Sequence, residues 1–186
     1  MIAMPIRVEA YLAAGVASGV ADHAGHLRDL LEAGGDLILG RAAWRATGTT
    51  GSEPVGTWSV PADDVLVAIG DDDPPMPVHA SWHAIRLEMG PYAVEGELPT
   101  LPGYDPGRAL VRPSGEFVLL RDVRMGWLRA VGGGLTPVGQ VAVVNRYAVE
   151  RVEADLMLGF YFPGATLGTT PHADASGGAG LPILST

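Results

Sequence analysis

A short alternation of apolar and polar residues occurs twice in this chain, as Ile6-Arg7-Val8-Glu9 and again as Ile85-Arg86-Leu87-Glu88. Period-two alternation marks a strand with one buried face, so two similar strands are expected in comparable surroundings. The surroundings do recur. A glycine falls in each following strand, Gly19 in the first copy and Gly96 in the second. Gly35-Asp36-Leu37-Ile38-Leu39-Gly40-Arg41 then reads against Gly115-Glu116-Phe117-Val118-Leu119-Leu120-Arg121. Pro61 with the run Val65 to Ala68 reads against Pro137 with the run Val141 to Val144. The pattern predicts an internal repeat, with Ile6 matched to Ile85 and Gly35 to Gly115.

Gly 26 and Pro 15 are spread along the 186 residues as punctuation, which favours short strands joined by turns over long helices. The exception is His26 to Ala33, where Leu27, Leu30 and Leu31 line one face of about two helical turns before Gly34 and Gly35. Residues 46–57 are rich in Thr, Gly and Ser and read as a loop. Asp71, Asp72 and Asp73 with Pro74 and Pro75 read as a linker. The expectation is a mostly-β protein of two similar small barrel-like or sandwich-like units with at most short helices. The first unit spans 1–73, the second 74–163, and 164–186 is a flexible tail.

A formal net charge of −9 disfavours a nucleic-acid backbone or an anionic membrane surface as partner. With no cysteine, disulfides, thiolate metal sites and cysteine nucleophiles are excluded. All twelve basic residues are Arg, a side chain that pairs with carboxylates in a bidentate fork. No apolar run is long enough for a membrane-spanning helix. Tyr11 to Ala21 lacks the uninterrupted apolar character of a signal segment, and a cytoplasmic location is expected.

One family resemblance rests on Tyr92-Ala93-Val94-Glu95-Gly96-Glu97-Leu98, on Phe117 to Val123 and on Val143-Val144-Asn145. These stretches resemble a family of short, uncharacterised bacterial β-rich domains, present here in tandem. His26 to Leu31 is similar to a short helical segment of that family. The resemblance implies a fold and carries no activity. A fainter similarity to Sm-like small barrels lies in the order strand, strand with central glycine, loop, strand. The Asp-x-x-Asn RNA-binding signature of that group is absent.

Candidate chemistry is sparse. His79 and His83 are four residues apart, but prolines precede them and a strand follows, against a helical metal pair. Asp22, His23 and His26 stand where a helix cap is needed. The three consecutive aspartates lack the spacing of a calcium loop, and Gly132-Gly133-Gly134 lacks the helix that a phosphate cradle requires. His172, Asp174 and the serines 81, 114 and 176 have no catalytic context. Trp44, Trp58, Trp82 and Trp127 read as core or inter-unit anchors. No catalytic residue, metal or cofactor is assigned. The expected function is non-enzymatic binding or assembly with a protein partner or as a homo-oligomer. It would act through sheet edges and the apolar segment Leu156, Met157, Leu158, Phe160, Tyr161 and Phe162, whose exposure would leave a large apolar patch. The alternatives are a small-molecule binder or enzyme with its site in a cleft between the units, and an Sm-like RNA-binding module.

Overall fold

The computed structural model describes residues 4–100, 115–128, 134–154 and 158–168. Among them are eleven strands and one short α-helix, so the mostly-β expectation holds. The strands are β1 (Met4–Leu12), β2 (Gly15–His23), β3 (Asp36–Ala46), β4 (Glu53–Pro61) and β5 (Val67–Gly70), then β6 (Ser81–Met89), β7 (Tyr92–Thr100), β8 (Phe117–Trp127), β9 (Thr136–Asn145), β10 (Arg151–Ala154) and β11 (Thr166–Gly168). They form a single mixed sheet in the order β11-β10-β6-β7-β8-β9-β5-β1-β2-β3-β4. Neither unit is a closed barrel: β5 of the first pairs with β9 of the second, where closure of a unit on itself would need β5 against β4 or β10 against β9.

The order contains the repeat. The first five strands lie as β5-β1-β2-β3-β4 and the next five as β10-β6-β7-β8-β9. Both opening hairpins turn on two residues, Ala13-Ala14 and Gly90-Pro91. Val8 faces Gly19 in one, and Ile85 faces Gly96 in the other. The ladder slips at each of these glycines, and the two strands that follow carry the two non-glycine residues with positive φ among the described residues, Arg41 (51°) and Asp122 (53°). A Cβ on Gly19 would lie 2.9 Å from Leu39 Cβ and 3.0 Å from Gly40 O. On Gly96 it would lie 3.3 Å from Leu120 Cβ and 3.0 Å from Arg121 O. Both bulges therefore need glycine for the same close approach of backbones.

These registers correct the pairing read from sequence. Val8, not Ile6, is the counterpart of Ile85. Gly115 (φ 93°) corresponds to Gly34 (φ 70°), not to Gly35. The run Val141 to Val144 belongs to β9, the counterpart of β4, while β5 corresponds to β10. The motif Pro54-Val55-Gly56 in β4 recurs as Pro137-Val138-Gly139 in β9.

The helix α1 (Leu27–Glu32) buries Leu27 and Leu31 over the first unit. Its free N-terminal groups are satisfied locally: His26 N–H donates to Asp29 Oδ2 (3.2 Å) and Leu27 N–H to Asp72 Oδ2 (3.0 Å). Asp71 Oδ1 accepts from Arg7 N–H (2.7 Å). Two of the three aspartates read as a solvated linker are thus backbone acceptors. At the other end of α1, the Glu32 carboxylate accepts Glu116 N–H (3.0 Å) and Phe117 N–H (2.9 Å), fastening the helix to the start of β8.

Candidate functional site

The seam between the units defines, by contrast, the open surface elsewhere. Along it β5 pairs antiparallel with β9, Val67 opposite Val144 and Ala68 opposite Val143, and Asn145 N–H donates across to Leu66 O (2.9 Å). Apolar groups of the first unit complete the core of the second: Tyr11, Val16 and Val67 are buried within it, and Leu66 and Ile69 pack on it. Tyr92 reaches back, its hydroxyl donating to Leu12 O (3.0 Å) or Gly15 O (3.2 Å), its ring edge-on to Tyr11 with centroids 5.5 Å apart. Burial, opposed by the charge of Arg45, pushes the Tyr92 hydroxyl up to about 12. Tyr11 is raised further by burial, by the negative charge of Glu9 and by a hydrogen bond to it. Neutral, packed rings fill this seam.

The repeat places an equivalent seat on the first unit, along β4. Arg146 N–H bonds to Glu116 O on the β8 side of β9, and Ala62 N–H bonds to Gly35 O on the β3 side of β4 (2.9 and 3.3 Å). Pro61 accordingly occupies the position of Asn145. Among the described residues, nothing pairs with the outer edge of β4. In place of packed partners there is a groove of about 870 Å³, bordered by Trp44, Trp58, Val55, Val60, Glu53 and Asp64, with Leu12 in its wall. Leu12 and Val60 belong to the first unit's core, so the groove is the open end of that core. Trp44 and Trp58 meet edge to face, centroids 4.9 Å apart. Val55 is 48% exposed, and a Cβ on Gly56 would meet nothing within 4 Å, whereas one on its counterpart Gly139 would press on Ile69 at 2.9 Å. Among the described residues, the seat filled on the second unit is vacant on the first.

Residues singled out from the sequence fall elsewhere. Leu158, Tyr161 and Phe162 are buried in the second unit's own core. Leu156 and Met157 lie outside the described residues, as does the side chain of Phe160. The Thr166–Gly168 stretch of the expected tail forms β11, parallel to β10. His83 Nε2 shares a 2.8 Å hydrogen bond with Thr100 Oγ1, and His79 is exposed. Arg121 stacks over the Trp82 ring (3.7 Å) and bonds Glu97 Oε2 through Nε (2.6 Å), beside the Arg86–Glu95 pair (2.9 Å). Ser114, His172, Asp174 and Ser176 are not among the described residues. Within those residues, no three His, Asp or Glu side chains are grouped to hold a metal ion, and no helix is long and apolar enough to cross a membrane. Trp44 and Trp58 mark the groove; the sequence signal that could have found it is the repeated Pro-Val-Gly, which aligns the free strand with the paired one.

No protein-family model, curated protein or solved structure matches the chain.

Proposed function

We propose that this protein is a non-enzymatic binding or assembly protein whose working surface is the β4 edge and the tryptophan-lined groove beside it. One observation carries the reading. The same strand position that β9 fills with an apolar partner, covered by Tyr11, Leu66 and Ile69, is left open on β4. An unpaired strand beside an open apolar groove is the arrangement to which an extended segment adds by main-chain hydrogen bonds, with side chains entering the groove. The Leu156–Phe162 segment supports it less, since its three described buried side chains already have a place in the core. The packed seam likewise lends little to a site in a cleft between the units.

Selection of a random peptide library on the intact chain tests the proposal. Enriched peptides should be extended and apolar at alternate positions, and should lose binding to Val55→Arg, a change at an exposed side chain that leaves the core untouched. Peptides that bind Val55→Arg and the wild type equally would remove the β4 edge as the working surface.

A further inference from the structure

We infer that the occupant of the β4 seat is an extended strand of a different protein, apolar on its groove-facing side and positively charged at its flanks, and not a second copy of this chain. The inference rests on the binding reading above and names the partner. A second copy joining head to tail, as the two units join, would offer the edge equivalent to β5, namely β10 and the residues beside it. At the positions of Tyr11, Leu66 and Val67, which seal the internal seam, that edge carries Glu88, Glu150 and Arg151. Two carboxylates and a guanidinium cannot enter an apolar groove without losing their hydration. β11 also lies along β10, with Arg151 opposite Thr166 and Val152 opposite Leu167, so the strand a copy would need is already paired. On the receiving side, Pro61 has no N–H with which to repeat the Asn145-to-Leu66 bond. The chain is thus built against extending its own sheet head to tail, while the apolar seat stays open.

Charge selects among foreign strands. Glu53 and Asp64 border the groove, both exposed, and among the described residues no basic side chain lines it. A strand with arginine or lysine flanking its apolar core meets both carboxylates; an acidic one meets repulsion, reinforced by the net charge of −9.

The probe is a peptide with the apolar sequence of residues 65–69, the natural occupant of the equivalent seat, made with two arginines at each end or with two aspartates at each end. Binding to the intact chain is followed by tryptophan fluorescence at low salt. The arginine form should bind about tenfold more tightly. That ratio should fall towards one in the Glu53→Gln/Asp64→Asn double variant and in high salt, where surface charge is screened. Equal binding of both forms would overturn the charge inference and leave the edge reading standing. Binding of neither form would overturn both. A concentration-dependent oligomer of the wild type that Val55→Arg dissolves would show the occupant to be a second copy and overturn the inference.

Discussion

Tyr92 concentrates much of the seam in one side chain, since its hydroxyl donates into the first unit's hairpin and its ring packs on Tyr11 and Trp127. Its proton is held more tightly in the folded chain, where its value is about 12, than in the unfolded chain, near 10. The associated stability is complete below the unfolded value and lost as pH rises through the folded one. Urea titrations at a series of pH values should therefore show stability falling between about pH 10 and 12, by on the order of 1 kcal/mol per pH unit from this group. Tyr92→Phe should cost about 1–2 kcal/mol at neutral pH, as a buried hydrogen bond is lost, and should flatten part of the alkaline decline; Tyr11 keeps a share. A decline unchanged in Tyr92→Phe would assign it to other groups. Arg41 and Asp122 hold the left-handed conformation at a cost that glycine does not bear. Asp122→Gly should accordingly leave the thermal midpoint unchanged or raise it, since the exposed Arg121–Asp122 ion pair (3.7 Å) contributes little; a lowered midpoint would refute this.

At the scale of elements, the two bulges fix register, because a slip of one residue would turn every buried side chain outward. Gly19→Ala and Gly96→Ala should each destabilise by roughly 1–3 kcal/mol, since the added methyl meets backbone and a strand Cβ that have no room to move. Matching losses in the two variants, measured by thermal unfolding, would show the bulges to be equivalent in energy as well as geometry. The strands with buried faces were legible from alternation, and α1 from its leucines. The pairing of the copies was misread because alternation looks the same after a slip of two residues; Ile6 and Val8 satisfy it equally. Close approach of backbones, which singles out Gly19 and Gly96, gives the true register. The first five residues of β4 fall within the 46–57 stretch that reads as a loop, because an edge strand buries little: of its residues only Val60 is buried, and without a buried face there is no alternation to read. The candidate site lies on the very strand whose signal is weakest, and Trp44 and Trp58 looked like ordinary core anchors for that reason.

For the whole molecule, the continuous sheet and shared cores predict that both units unfold together. Val16 and Val67 lie in the second core, while Phe117 and Val143 of the second unit lie in the first, so exposing one unit strips apolar cover from the other. Trp44 and Trp58 report on the first unit, Trp82 and Trp127 on the second. Denaturant transitions monitored through single-tryptophan variants of each unit should coincide; separated midpoints would show the seam to be weaker than its packing implies.

The contrast between Asn145 and Pro61 also gives the tandem a direction. Two halves with the same strand plan look interchangeable, as tiles of one shape do, yet their joints are cut differently. Were the chain re-spliced so that the present second half came first, β4 would have to meet β10, a proline against an edge already taken, with carboxylates where leucine and tyrosine now sit. The former joint would meanwhile be laid open, putting Tyr11, Leu66 and Ile69 in water. The two halves are thus alike in strand plan and unlike at the edges by which they could be joined, and the β5–β9 joint is the one those edges suit.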